Sequence, residues 1–540
     1  MALISLTLRL RPSRLFMTLQ KGAPVFKSIR LIICIAMLSV QVFAGAKKAK
    51  LEDNTILPVP PPPEAKHMTD AEYQAMLKEY SKPGIIRKVA QSDRFDQTAL
   101  TAEFKNLRSR MIGGPVWKND RDVDDSQQPY RGVNTAHELT TLIADVEQKY
   151  ATFSASDAKF LAAQIIALKP LQSFVFRCRD LVDNSRLSKS ILVTMLRSVR
   201  AGADLIFPDS DPQANAVFDF FMTPTDGRKG DIANDSQFSD FLTKEAYPAL
   251  QALQSRIDAI DFSKGFYFDN AVFNKNVNFA SDKDRFLMFG PREKLGMQAN
   301  LNFNLSGLAY VMAYNLKGLF LFNDSISRIY GFDSMKWDVD GATAEARATE
   351  FAKYPQLFVK RPGGEAWTKE SYRYLTDGLD QAESLWRATK PEIKDNPVLV
   401  PMIDVSGYGP FVRPVDEVFK TFSKLIHNDK DGVKSAVFGT EAVEVNFSTL
   451  FDSPPETFHA FAPKKFRNER TTQDKKYMNE NTPEKYRNYR YGEAISWDYT
   501  SYQKYFPQVN DDKSLKQAVR VMNQAWGGWL LGVPMASFAL

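Results

Sequence analysis

The sequence predicts a mainly α-helical fold: a multi-helix, bundle-like body with a few short strands or extended segments and no repeat solenoid. Apolar residues recur at helical spacing in one stretch after another across the middle of the chain. Prolines and glycines separate these stretches by short intervals, which is typical of helices joined by turns. No segment repeats at a fixed period, and this argues against a solenoid. The 540 residues, 44% hydrophobic and 25% charged, suffice for a large buried core.

The first 46 residues have the composition of a secretory signal. Residues 1–46 contain six basic and no acidic side chains, and an apolar run over 31–43 follows the last of these charges. Small residues then predict signal cleavage near Ala44 to Ala46. We therefore expect an exported protein, periplasmic or secreted. An uncleaved anchor formed by 31–43 is the alternative, although a membrane-spanning helix needs about 20 apolar residues.

The net charge of +6 belongs entirely to this N-terminal segment. The whole chain has 70 Lys and Arg and 64 Asp and Glu, so residues 47–540 contain 64 side chains of each sign. Nucleic-acid binding relies on an excess of Lys and Arg. A neutral exported chain therefore predicts no nucleic-acid partner. We also expect no transmembrane helix in the mature chain, because no predicted helix there is continuously apolar.

Residues 47–68 are predicted to be a flexible, Pro-rich tether. Five of the six residues over 58–63 are prolines. Such a run favours an extended spacer, at about 3.1 Å per residue. Proline cannot donate a backbone hydrogen bond, so this segment is not expected to join a packed element. The functional alternative is a ligand for a proline-reading domain.

Short helices and a polar loop are expected over 69–133. Thr69 and Glu72 form the pattern of a capping box, which predicts a helix that continues to about Tyr80. Residues 108–133 are polar and rich in Gly and Asp. We expect them to form a long surface loop.

The main helical domain is expected over 134–462. A second capping box, Thr135 with Glu138, predicts the start of a helix that ends near 150. Apolar periodicity predicts further helices over 161–170, 187–202, 236–260, 299–322, 342–353, 369–388 and 412–427. We expect Pro248 to split or kink the helix that contains it. Alternating aromatic residues over 262–289 predict short strands or an extended segment.

Residues 463–540 are predicted to form a basic, Tyr-rich segment and a C-terminal helix over 513–531, both packed on the main domain. Nine basic and four acidic residues between Lys464 and Arg490 give a local charge of +5. Tyr, Trp and Arg are favoured at binding hot spots. The candidate binding residues are Arg487, Tyr489, Arg490, Tyr491, Trp497, Tyr499 and Tyr502. The alternative is a Tyr-rich segment that wraps around the bundle and packs on it.

No catalytic motif is recognisable, and this leads to a non-catalytic interpretation. The four histidines lie far apart without ligand spacing, which predicts no metal site. Phosphate-binding loops and nucleophile elbows are not found, so no cofactor is predicted. We expect binding or scaffolding at the cell envelope, with cell-wall glycan or an envelope protein as partner. The alternative is an envelope hydrolase with two facing carboxyl groups, at least one with a perturbed pKa.

Overall fold

A computed structural model describes the following residues: 56–80, 99–113, 132–179, 212–224, 230–269, 272, 286–322, 343–393, 426–427, 434–438, 441–467, 493–515, 517–518, 529–530 and 533–534. These ranges contain thirteen α-helices and four two-stranded antiparallel sheets, with no barrel and no solenoid among them. The prediction of a mainly α fold with a few short strands is confirmed. Within the same ranges, no helix is both long and apolar enough to span a bilayer.

The elements follow one another in this order. The first seven helices are α1 (Asp70–Tyr80), α2 (Ala102–Ile112), α3 (Ala136–Lys149), α4 (Ser156–Ile166), α5 (Phe174–Arg177), α6 (Pro212–Met222) and α7 (Asp235–Phe241). The next six are α8 (Tyr247–Asp258), α9 (Pro291–Met312), α10 (Thr343–Ala352), α11 (Gly364–Ile393), α12 (Thr449–Asp452) and α13 (Thr500–Gln503). The paired strands are β1 (Phe266–Asp269) with β2 (Phe286–Phe289), β3 (Lys434–Phe438) with β4 (Glu441–Val445), β5 (Lys465–Arg467) with β6 (Glu493–Ser496) and β7 (Trp529–Leu530) with β8 (Val533–Pro534).

Two helices begin where the capping patterns predict. The Thr69 N–H donates to the Glu72 carboxylate at 2.8 Å, and the Glu72 N–H donates to the Thr69 hydroxyl at 3.2 Å. At the second site the Glu138 N–H donates to the Thr135 hydroxyl at 3.1 Å, whereas the Glu138 carboxylate accepts from Asn134 at 2.7 Å. These bonds satisfy backbone donors that an α-helix leaves free at its first turn.

The helix that contains Pro248 is interrupted, as expected. Helix α7 ends at Phe241, a π-helical turn covers Leu242–Ala246, and α8 follows directly. Proline lacks an N–H, and its ring crowds the carbonyl four residues earlier. The wider π turn accommodates the missing bond without ending the helical run.

Two predicted boundaries are wrong. The polar loop expected over 108–133 begins later, because α2 continues to Ile112 and buries Arg108 completely. The Arg108 Nε donates to the Asp269 carboxylate of β1 at 2.7 Å, so an ion pair attaches α2 to the β1–β2 hairpin. The helix expected over 513–531 is wrong at its end, where Trp529–Leu530 is a strand. The helix expected over 187–202 lies outside the described residues, as does the helix expected over 412–427 apart from its last two residues.

The core surrounds α9 and α11, the two longest helices of the described ranges. Leu301, Leu305 and Tyr310 of α9 are completely buried, which confirms the prediction of a core helix there. Trp367 and Tyr374 of α11 are completely buried as well. The two helices thus form the central pair on which the N-terminal residues pack.

Residues 57–67, which we call the Pro-rich segment, lie against this body, contrary to the expectation of a flexible tether that joins no packed element. Val59 is 5% exposed, and its N–H donates to the Pro362 carbonyl at 3.0 Å. The Trp367 indole N–H donates to the Pro60 carbonyl at 2.5 Å. A proline run cannot donate, but its carbonyls remain acceptors, and donors on the body use them.

Candidate functional site

His67 lies between two carboxylates of α11. Its Nδ1 is 2.8 Å from Asp377 Oδ2, and its Nε2 is 2.9 Å from Glu370 Oε1. The three side chains are between 7% and 13% exposed. The two acids are seven positions apart, which places them two turns apart on one helical face. We refer to His67, Glu370 and Asp377 as the His67 site.

The histidine of this site is held in its charged form. Burial of the ring opposes the charge, but the hydrogen bonds and negative charges of Asp377 and Glu370 outweigh it and raise the pKa of His67 to about 9. Both ring nitrogens then donate, because a carboxylate only accepts. At neutral pH the site is therefore a buried imidazolium between two carboxylates.

Other titratable side chains surround the His67 site. The Tyr374 ring stands edge-on to the imidazole, with 4.7 Å between centroids, and Arg373 approaches Glu370 at 3.7 Å. Burial raises the pKa of Asp258 of α8, and the negative charge of nearby Asp377 raises it further. Lys66, beside the histidine, opposes that rise with its positive charge. Asp258 of α8 therefore interacts electrostatically with Asp377 of α11 and with Lys66 of the Pro-rich segment.

A second histidine contacts α11 three residues beyond the first site. His427 Nε2 is 2.5 Å from Asp380 Oδ1, and the Tyr73 ring of α1 stacks on His427 with 5.1 Å between centroids. The Tyr73 hydroxyl donates to Glu383 at 3.4 Å, and Arg387 pairs with the same carboxylate. Burial raises the pKa of Asp380 to about 6, against the contact with His427. Helix α1 is therefore tied to α11 through polar groups.

The interface of α9 with α11 and α8 is also hydrogen-bonded. Asn302 of α9 donates to Gln381 at 2.8 Å and accepts from Gln254 of α8 at 2.5 Å. The Ser306 hydroxyl donates to the Ser371 carbonyl at 2.8 Å, and the Ser371 hydroxyl donates back to the Ser306 carbonyl at 2.9 Å. Buried polar groups with satisfied partners fix the register of packed helices. Helix α11 is thus hydrogen-bonded to α9 through Ser371 and Gln381.

The arrangement limits what the His67 site can do chemically. An imidazole that gives both N–H groups to carboxylates has no lone pair with which to accept a proton. The two carboxylates have a cation as their nearest partner. These features are typical of an ion-paired tie between distant chain segments. Among the residues that the structure describes, no group of three His, Cys, Asp or Glu is arranged to hold a metal ion.

Three of the seven predicted C-terminal binding residues are described by the structure, and the other four are not. Trp497 is 4% exposed and Tyr502 is 1% exposed, and the Tyr502 hydroxyl donates to the Phe461 carbonyl at 2.7 Å. Tyr499 is half-buried against the core. These three side chains contribute to packing, which agrees with the wrapping-segment alternative for this part of the chain. The other four candidates, Arg487, Tyr489, Arg490 and Tyr491, lie outside the described residues.

Sequence reasoning missed the His67 site because its members are far apart in the chain. His67 and Glu370 are 303 positions apart, and neither belongs to a recognisable motif. One local signal was present: acidic residues stand on the same helical face as Trp367 and Tyr374, where a core helix normally carries apolar side chains. Buried acids need partners. That pattern predicts that cations or donors will be found opposite them.

Comparison with known proteins supplies no relative. No family model matches the chain, and no curated protein or solved structure shows significant similarity to it. A function must therefore be inferred from the charges, contacts and exposure of the residues themselves.

Proposed function

We propose that the protein is an exported, non-catalytic binding or scaffolding protein of the cell envelope. One observation carries the non-catalytic part. The acids of α11 that would suit a two-carboxylate enzyme are bound to the protein's own side chains: Glu370 and Asp377 contact His67, and Asp380 contacts His427. A catalytic acid or base must instead face its substrate. The acidic face of α11 is therefore better suited to holding the folded chain together than to catalysing a reaction.

Export and envelope binding rest on the sequence. Residues 1–46 have the three parts of a secretory signal, and residues 47–540 are neutral overall. Within this neutral chain, the stretch between Lys464 and Arg490 has a local charge of +5. The Lys464 side chain is 60% exposed. Cell-wall glycan or an anionic envelope protein fits a cationic, Tyr-rich segment of this kind.

Sedimentation of the purified mature protein with cell-wall sacculi tests the proposal. We expect retention of the wild type and a decrease in affinity of at least about tenfold for the double variant Tyr489→Ala, Arg490→Ala. Lys244→Ala, which removes a 66% exposed cation outside the Tyr-rich segment of the sequence, is the matched control and should be retained. Trp497 is unsuitable for this test, because its truncation would open a cavity in the core. Retention of the double variant at wild-type level would refute a role for this segment.

A two-carboxylate hydrolase is the second candidate. Burial raises the pKa of Asp380 to about 6, which favours this candidate because a general acid must still hold its proton near neutral pH. Asp377 stands one helical turn earlier on the same face. Release of soluble sugar from sacculi by the wild type, and its loss in Asp380→Asn, would establish this activity and contradict the non-catalytic proposal. A wild type that releases nothing eliminates the candidate.

A further inference from the structure

The Pro-rich segment has an unusual hydrogen-bonding character. Between Pro58 and Pro63 only Val59 has a backbone N–H, whereas all six residues have a carbonyl. A surface that binds this stretch through its main chain must therefore offer donors, with a single acceptor for the one N–H. A surface made for ordinary strands would offer both in equal numbers.

The body supplies those donors at successive positions. The Arg361 Nε donates to the Leu57 carbonyl at 3.1 Å, and its Nη2 donates to the Pro58 carbonyl at 3.0 Å. The Trp367 indole donates to the Pro60 carbonyl at 2.5 Å. Indole and guanidinium nitrogens donate and do not accept. Both side chains thus match a ligand that presents carbonyls.

The body also provides one backbone acceptor, opposite the single N–H of the segment. The Val59 N–H donates to the Pro362 carbonyl at 3.0 Å, and Gly363 follows with φ of +83°. A Cβ at Gly363 would lie 2.8 Å from the Val59 carbonyl oxygen, so only glycine permits this close approach. Further along, the Gln251 amide reaches the Pro63 carbonyl at 3.5 Å, the limit of a hydrogen bond.

The body contacts the segment through the backbone of the segment and through one side chain. Val59 is the buried residue of the run, whereas Pro60, Pro61 and Pro63 are exposed. The prolines therefore contribute stiffness, because a proline-rich chain is already extended and loses little entropy on binding. A peptide that binds this surface therefore needs an apolar residue between prolines, with backbone carbonyls available as acceptors on either side.

The five residues that form the proline-binding surface are Gln251, Arg361, Pro362, Gly363 and Trp367. We propose that this surface binds extended proline-rich polypeptides, and that the chain's own Pro-rich segment occupies it and thereby blocks it. His67 anchors the C-terminal end of the segment through Glu370 and Asp377. A proline-rich chain of another molecule makes the same contacts once the internal segment leaves. The surface consists of residues outside the C-terminal segment, and its occupation does not depend on export.

A labelled peptide with the sequence of residues 55–69 tests this proposal by fluorescence anisotropy. The protein is the full chain, either wild type or a release variant with Val59→Asp and His67→Ala. We expect the release variant to bind the peptide saturably and at least about tenfold more tightly than the wild type. A peptide that itself carries Val59→Asp should not bind. Adding Trp367→Phe to the release variant keeps an aromatic ring but removes the donor, and it should weaken binding at least about fivefold.

Trypsin shows whether the internal segment has left. The Lys66 side chain is 88% exposed, so cleavage after it depends on how firmly the backbone around it is held. We expect faster cleavage at Lys66 in the release variant. In the wild type, an excess of the peptide with Lys66→Gln, which trypsin does not cut, should also accelerate cleavage of the chain. This second measurement needs no variant protein and so does not depend on the folding of one.

Three outcomes would overturn the proposal. Equal peptide affinity in the wild type and the release variant means that the surface is not blocked. Unchanged cleavage at Lys66 in both experiments means that these contacts do not hold the segment. Faster cleavage without peptide binding, in a release variant whose circular dichroism matches the wild type, means that the surface holds its own segment only.

Discussion

Replacing His67 by Gln removes the positive charge that lies between two buried carboxylates. Glutamine keeps a polar side chain of similar reach but cannot neutralise Glu370 and Asp377. In the folded protein the two carboxylates would then stand without their main counter-ion. We expect lower stability at neutral pH, with a size that depends on pH in a defined way.

The magnitude follows from the pKa of His67. Contacts in the folded protein raise it from 6.5 to about 9, and each pKa unit corresponds to about 1.4 kcal/mol, so the charged ring contributes about 3 kcal/mol. The folded protein holds this proton more tightly than the unfolded chain does. The contribution is therefore complete below about pH 6.5, and it declines as the pH rises through about 9.

Urea unfolding at pH 6.5, 7.5, 8.5 and 9.5, followed by circular dichroism, measures this contribution. The difference in free energy of unfolding between wild type and His67→Gln should be about 3 kcal/mol at the lowest pH and small at the highest. His137→Gln, which replaces an exposed histidine of α3, is the control and should change stability by less than about 0.5 kcal/mol. A difference for His67→Gln that is absent at pH 6.5, or constant across the series, would refute the reasoning.

The remaining predictions concern the buried ion pair and the glycine under the Pro-rich segment. Asp269→Ala leaves Arg108 fully buried without this partner and should lower the free energy of unfolding by about 3–5 kcal/mol in the same urea assay. Gly363→Ala introduces a Cβ at positive φ, 2.8 Å from the Val59 carbonyl, and should cost about 1–3 kcal/mol. It should also accelerate tryptic cleavage at Lys66, and unchanged cleavage would contradict the close approach.

Features that depend on neighbouring residues are readable from the sequence. The capping pair of Thr69 and Glu72 spans four residues, and the bonds that it predicts are present. Pro248 likewise predicts an interruption, because its effect on the helix depends only on its own ring and the preceding turn. Fold class follows from many such local signals together.

Pairings between distant residues are not readable in this way. The contacts of His67 with Glu370 and Asp377 join segments about 300 positions apart, and several other acids would have satisfied the same histidine. The Pro-rich segment shows a related difficulty. Its lack of N–H groups led to the expectation that it joins no packed element, but this lack does not prevent its carbonyls from accepting hydrogen bonds from Arg361 and Trp367.

Composition also leaves two roles open for the same residue types. Tyr and Trp are enriched at binding sites and also fill cores wherever their polar atom finds a partner. Tyr502 is of the second kind, since its ring meets Phe461 at 4.4 Å and its hydroxyl bonds the Phe461 carbonyl. Exposure decides between these roles, and exposure is a property of the fold.

The most direct measurement is the titration of the histidine rings by nuclear magnetic resonance. The chain contains four histidines, so ¹⁵N-histidine labelling gives few signals, and His67→Gln identifies the one from the His67 site. The central claim is that the Pro-rich segment is held on α11 by a protonated His67. It predicts that both ring nitrogens of His67 are protonated at pH 7, with a midpoint near pH 9. A midpoint near 6.5, the value of an exposed histidine, would contradict it.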